Sequence, residues 1–341
     1  MRGSHTAPSP WPFTRMLRAM LIAGAMLGLM VVGSQAANAQ SGSLVYGLTD
    51  GGELIGFDPA NPAQVETRVA VSGDASGDSI LGMDSRPETD ELYAIGASST
   101  VYTIDPASGA ATAEGTTDPA LEGSVLGFDF NPTADAIRVV TDAGQNLRLT
   151  DLDEEIGTTV DGELAFDDAD ENAGGQPAVV GAGYTNNVPD AEDTMLFDID
   201  LATGSLLQQD ANPGVLSTIG PLGVEFTSNV GFDIAAPNDD AYAVLQPGEG
   251  LPSSLYSIDL DSGAATEIGA IGAGEVVGGF AIPTGDMSAM MEDGTSGMGT
   301  EMDVIPDTGG FSPLAVVGAA LAAFAIAGGA IALRTVRRDA S

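Results

Sequence analysis

"SVLGFDFNP" (residues 124–132) has four close relatives in the same chain: "SILGMDSRP" (79–87), "AVVGAGYTN" (178–186), "SNVGFDIAAP" (228–237) and "EVVGGFAIP" (275–283). Each is a short apolar strand with a glycine near its middle, and four of the five end in proline, which stops sheet pairing. They recur about every 45 to 50 residues, the period of a four-stranded propeller blade. Between them lie hairpins. In "TVYTIDPASGAAT" (100–112) apolar and polar residues alternate, and "DPASG" supplies a proline at a preset φ and Gly109 where φ is expected to be positive. The pattern returns in "TMLFDIDLATGSLLQQ" (194–209) and "SLYSIDLDSGAATEIGAIG" (254–272), and more weakly in "LVYGLTDGGELIGFDPANPAQVETRV" (44–69).

The last Gly-led strand has no hairpin after it, and the first hairpin has no such strand before it. A ring in which "VVGGFAIP" completes the blade begun by "LVYGLTD" solves both problems and leaves no exposed edge. The sequence therefore predicts an all-β fold, a β-propeller of five four-stranded blades closed end to end. A six-bladed ring or an open β-sandwich is the alternative that the spacing leaves open.

The two ends read differently from this body, which spans 40–283. Residues 1–39 carry Arg2, Arg15 and Arg18, then the apolar run Met20 to Val32 and an Ala-x-Ala site, Ala37 to Ala39. That is the layout of a secretory signal peptide, a signal helix cleaved after Ala39 by signal peptidase. Residues 284–304 are a flexible stalk rich in acid, Met and Gly, whose thioethers beside carboxylates also admit a soft copper ion. Residues 305–341 begin with "IPDTGG", continue through an apolar segment at 311–333 long enough to span a bilayer, and end with Arg334, Arg337 and Arg338 on the cytoplasmic side.

Charge sharpens the division. The chain has 49 acidic residues, 10 arginines and no lysine. Residues 40–310 hold four arginines against 48 acids, a net charge of −44, which repels nucleic acid and anionic lipid and attracts cations. There is no cysteine, and the one histidine, His5, lies in the signal. The mature chain thus lacks the residues for Ser-His-Asp or Cys-His nucleophilic systems, Lys Schiff bases and His or Cys metal sites. Carboxylate chemistry remains open, which keeps an extracellular carboxylate-dependent hydrolase or lyase, Ca2+-dependent or not, as the competing reading.

Taken together, "GMDSRPETDELYAIG", "GFDFNPTADAIRVVTDAGQNLRL", "AGYTNNV", "NPGVLSTIGPLGV" and "GFDI" resemble the landmarks of the family called domain of unknown function 4394, over about residues 44–283. The resemblance implies a secreted bacterial propeller-like domain and no known reaction. Ser85 departs from it, standing where a large residue is expected. The C-terminus resembles an LPxTG-like sortase cell-wall sorting signal with Ile305 in place of leucine. That likeness implies cleavage by sortase between Thr308 and Gly309 and attachment to peptidoglycan; a plain transmembrane anchor is the alternative. Either way the propeller is expected outside the cell.

The innermost strands of a propeller line its channel. Asp84, Asp129 and Asp233 each lie two residues after a strand glycine, so a fivefold ring would bring them to one depth, with Arg86, Asn131 and Asn186 near the strand ends. These six residues form a candidate axial site for a small ligand or a hard cation such as Ca2+. The competing expectation is that the Asp and Asn side chains cap turns and buried backbone groups, with Arg86, Arg138 and Arg148 as counter-charges. The acidic stretch "DDADENAGG" (167–175) lacks EF-hand spacing and is expected to be a solvated loop. Composition predicts a cell-surface binding or scaffold module with no catalytic residue; the surface ligand is not legible.

Overall fold

A computed structural model describes residues 44–284. All regular elements among them are strands, arranged in five sheets. Blade 1 contains β1 (Val45–Thr49), β2 (Glu53–Phe57) and β3 (Val65–Ala70). A two-residue edge strand β4 (Ser72–Gly73) precedes blade 2, which is β5 (Ile80–Ser85), β6 (Leu92–Gly96), β7 (Thr100–Ile104) and β8 (Ala110–Thr116). Blade 3 is β9 (Leu126–Asn131), β10 (Ala136–Thr141), β11 (Asn146–Thr150) and β12 (Gly157–Val160). After the short β13 (Ala165–Phe166), blade 4 is β14 (Val179–Tyr184), β15 (Leu196–Asp200), β16 (Ser205–Asp210) and β17 (Val215–Pro221). Blade 5 is β18 (Val230–Ala235), β19 (Asp240–Leu245), β20 (Ser254–Ile258) and β21 (Ala265–Ala270).

The final strand, β22 (Val277–Ala281), does not start a sixth blade. It pairs antiparallel with β1 in the register Tyr46↔Ala281, Gly47↔Phe280 and Leu48↔Gly279, so the two ends of the domain share blade 1. The five Gly-led strands of the sequence are thus β5, β9, β14, β18 and β22, the innermost strand of each blade. The hairpin chemistry also holds: Asp105 Oδ1 accepts from the N–H groups of Ala107 (2.8 Å) and Ser108 (3.0 Å), and Gly109 follows at φ 73°. Asp259 repeats this turn in blade 5.

Glycine at the strand centre has a geometric cause. A Cβ on Gly82 would lie 2.6 Å from Cβ of Phe128; on Gly127, 2.5 Å from Cβ of Ala182; on Gly181, 2.9 Å from Cβ of Phe232; and on Gly231, 2.4 Å from Cβ of Phe280. Gly279 faces the side chain of Met83 at 3.4 Å, which completes the circuit. Each inner strand presses its bare glycine against the next strand, and the axis is drawn almost shut. About 10 Å³ of free space remains at the glycine level.

Blades are held to one another by five apolar clusters, one for each interface. The cluster between blades 3 and 4 differs from the rest. Blade 3's sheet contributes Val140 to it, and the neighbouring inward positions of β9 to β11 are Asp129, Arg138 and Asn146, all buried. That interface is built largely on polar pairing.

The acidic stretch 167–175 is mostly exposed, as expected of a solvated loop, and is anchored at Asp170. Asp170 accepts from the N–H of Thr218 (2.6 Å), its hydroxyl (2.9 Å) and the N–H of Asn172 (2.8 Å), which clamps the loop to β17. The expected signal peptide 1–39, all of the expected stalk 284–304 except its first residue, the expected sorting signal 305–341, Ala39, Thr308, Gly309, Arg334, Arg337, Arg338 and the apolar run 311–333 lie outside the described residues. Among the described residues no helix is long and apolar enough to cross a membrane.

Candidate axial site and the blade 3 to 4 interface

Two residues beyond each glycine the inner strands carry Asp84, Asp129, Gly183, Asp233 and Ala281 at equivalent positions. The three aspartates are buried, and one oxygen from each lies within 4.8 Å of the others. The structure therefore gathers these three predicted residues at the axis.

Their hydrogen bonds follow a single rule. An aspartate reaches the next inner strand and accepts the N–H one residue past the equivalent position: Asp84 Oδ2 from Phe130 (2.9 Å), Asp129 Oδ1 from Tyr184 (2.9 Å), Asp233 Oδ2 from Ile282 (2.6 Å). Gly183 and Ala281 have no acceptor to offer their neighbours. In those two places the aspartate of the receiving strand turns its other oxygen back: Asp233 Oδ1 takes the N–H of Ile234 (2.6 Å) and Asp84 Oδ1 takes that of Ser85 (2.7 Å). Three carboxyl groups thereby satisfy five backbone donors that face the axis, as buried N–H groups require. Five of six oxygens are engaged; Asp129 Oδ2 is buried without a hydrogen-bond partner among the described residues.

The electrostatics oppose three full charges. Burial, reinforced by the Asp233 charge, pushes Asp84 well above the usual carboxylate range. Burial, then the Asp84 and Asp233 charges, does the same to Asp129. Burial lifts Asp233 to about 6. None of the body's four arginines answers this charge, because all are paired elsewhere. Arg68 bridges Glu53 and Glu275 (both 2.6 Å), Arg86 holds Asp135 and Asp153, and Arg138 and Arg148 share Asp161 (2.7 and 3.1 Å).

Arg86, Asn131 and Asn186, the other three residues of the predicted site, are not brought to the ring. The Arg86 guanidinium clamps blade 2 to blade 3 through Asp135 and Asp153. Asn131 Oδ1 caps a turn, accepting from the N–H (2.9 Å) and hydroxyl (2.7 Å) of Thr133. Asn186 is left-handed at φ 54°, with its Nδ2 donating to Asp193 Oδ1 (2.8 Å). Asparagine at a strand end is chemically suited to both turn and ligand roles, and here the turn role prevails.

Arg138, 2% exposed, donates to Asn146 Oδ1 (2.7 Å), Asp161 Oδ2 (2.7 Å), Asn212 Oδ1 (3.1 Å) and Tyr184 Oη (3.4 Å), joining blades 3 and 4. Facing it is a residue the sequence reading missed. Asp198 of β15 is wholly buried, neither of its oxygens has a hydrogen-bond partner among the described residues, and burial drives its carboxyl well above the ordinary range against the pull of Arg138. Its signal was an acid in phase with Leu196 within "LFDID".

At the end of the inner strands where they begin, a depression of about 690 Å³ opens to solvent, lined by Asp50, Asp78, Ser79, Ser228 and Asn229 over apolar Leu81 and Leu126. Asp78 is fixed there. Burial would raise its carboxyl, but hydrogen bonds from Ser98 and Tyr102 overturn that and hold it below its usual value.

A ring of five four-stranded blades, two of them extended by a two-residue edge strand, closed by β22 on β1 defines this protein as a five-bladed β-propeller. The model of the domain of unknown function DUF4394 matches residues 53–281, and the chain belongs to that family. No curated protein matches it. Among solved structures, a protein from Lactobacillus plantarum is similar at 17% identity, covering 70% of each chain with a TM-score of 0.37. A protein of unknown function from Bacteroides thetaiotaomicron is similar at 15% identity, over 67% of this chain and 58% of that one, with a TM-score of 0.42. A luciferin-regenerating enzyme is similar at 13% identity, over 69% and 78%, with a TM-score of 0.36.

Proposed function

We propose that this chain is an exported, surface-anchored propeller that acts as a binding or scaffold module and not as a catalyst. The observation that carries the reading is the state of the axis. Its three carboxyl groups are sealed from solvent and occupied by backbone N–H groups, so no substrate reaches the acid pair that a hydrolase would need. The arginines are likewise spent on ion pairs within and between the blades. What the ring offers outward is its rim and the acidic depression around Asp50 and Asp78, which suits a cationic or hydroxyl-rich surface ligand. Signal peptidase processing after Ala39 and sortase transfer at Thr308 would place that rim on the cell wall, with Arg334, Arg337 and Arg338 holding the segment until cleavage.

The test has two arms. In a sortase-bearing Gram-positive host, muramidase should release the protein from the wall fraction, and Thr308→Ala should move it to the membrane fraction; unchanged partitioning would remove the anchoring reading. Binding of the mature protein to isolated wall polysaccharide and to cationic polymers should fall on Asp50→Asn with Asp78→Asn. Turnover of a glycoside library that disappears on Asp84→Asn would instead establish the hydrolase.

A further inference from the structure

We propose that the axis is a cation site of the Ca2+ type, formed by the carboxylates of Asp84, Asp129 and Asp233 and closed by the amide oxygen of Asn187. This goes beyond the binding-module reading and is independent of it.

Spacing is the first argument. Three oxygens no more than 4.8 Å apart have a common centre within about 2.8 Å of each, close to the 2.3–2.6 Å of Ca2+–O contacts. Each oxygen that accepts a backbone N–H keeps a second lone pair for an ion. Charge is the second. Three buried carboxyl groups with every arginine of the body engaged elsewhere must be neutralised by protons or by a cation, because bare charges in that setting cost many kcal/mol.

Unsatisfied oxygens decide between the two. A proton shared by Asp84 and Asp233 still leaves Asp129 Oδ2 buried and unpartnered. It also leaves Asn187, a residue 1% exposed whose Oδ1 is buried and unpartnered among the described residues. The path of the chain is what points Asn187 toward the axis. The N–H of Asn186 is bound by Asp239 of blade 5 (2.7 Å), and four residues later that of Asp190 is bound by Glu88 of blade 2 (3.0 Å). Blades 5 and 2 are not neighbours in the ring, so the segment spans from one to the other at the end nearer the aspartates. Asn187 is the buried residue of that segment. A hard, all-oxygen cage excludes soft metals. Mg2+ demands near-octahedral geometry and retains several waters, whereas Ca2+ accepts irregular, flexible oxygen coordination.

The experiment uses the mature protein, stripped with EDTA and dialysed, with CaCl2 as the probe in titration calorimetry and thermal melts, and MgCl2 in parallel. The acidic surface will bind Ca2+ weakly and non-stoichiometrically, so the readout is a saturable one-per-chain step with an upward shift in Tm, smaller for Mg2+. Asp129→Asn and, separately, Asn187→Ala should each weaken that step at least tenfold while leaving the weak surface phase. Asn187→Ala alters a loop and no strand, so it decides the matter if the ring variant does not fold. The proposal is overturned if no saturable step appears up to about 10 mM, some ten times the weakest extracellular modules. It is equally overturned if the step is the same in both variants, which would mark surface binding only.

Discussion

Replacing Gly127 by alanine tests the packing that shuts the axis. The new methyl carbon would lie 2.5 Å from both Cβ and N of Ala182 and 2.7 Å from the carbonyl carbon of Gly181. Ordinary contacts between such atoms are about 3.5–4.0 Å, so the deficit is about 1 Å against three atoms, two of them backbone. Rotation of a side chain relieves none of it; β9 must move away from β14. Overpacking of this kind costs about 1–3 kcal/mol when side chains can yield, and the backbone contact places Gly127→Ala at the upper limit, about 3 kcal/mol or more. For a domain of this size that lowers Tm by about 6–12 °C. Urea and thermal unfolding of the mature protein would measure it, with Gly51→Ala as control, since a Cβ there meets only Thr49 Oγ1 at 3.5 Å. A loss under about 1 kcal/mol for Gly127→Ala, or one equal to the control's, would refute the close-approach account.

The donor count at the axis makes a graded prediction: with chelator present, Asp84→Asn and Asp233→Asn should each lose about 1–3 kcal/mol because asparagine keeps one acceptor where two are used, whereas Asp129→Asn should be neutral or stabilising because only its unpartnered oxygen changes. Denaturant melts of the three variants would check the order. Arg138→Ala should cost about 3–5 kcal/mol by stranding Asp161 and the buried Asn146, while Arg148→Ala, on the more exposed side of the same carboxylate, should cost no more than about 1 kcal/mol. Asp198 sets a pH dependence. Its folded-state carboxyl is raised, so stability is full below the unfolded value of about 3.9 and declines as pH rises toward the folded value; Asp198→Asn should flatten that decline in melts taken between pH 4 and neutrality. Asp161 has the opposite sign: burial would raise it, but Arg148 and Arg138 hold it low, so its contribution persists above about pH 4 and is lost as pH falls further.

The fold was legible because its repeat unit has a physical reason to be uniform. Every inner strand must offer a bare backbone to its neighbour, so glycine recurs in all five, and the unpaired "VVGGFAIP" declared the closure on β1. Asp84, Asp129 and Asp233 were legible as a set because they follow those glycines at a fixed offset. Their bonding was not, since it depends on Gly183 and Ala281 being the two positions that lack an acceptor. Asp198 was hidden by a strand buried on both faces, where alternation carries no contrast. The two-residue edge strands β4 and β13, which pair parallel with β8 and β17, are too short to leave a periodic signal. Asn187 drew no notice because its place depends on a loop whose two anchors, Asp239 and Glu88, are distant in sequence.

The central claim is that three carboxyl groups seal the axis by holding five backbone donors, and hydrogen exchange reads those donors one by one. In the mature protein the amides of Ser85, Phe130, Tyr184, Ile234 and Ile282 should exchange only through global unfolding, Ile282 included although it lies just beyond β22. Exchange of these five at the rate of exposed turn amides, in a protein whose β6 and β10 amides stay protected, would contradict it.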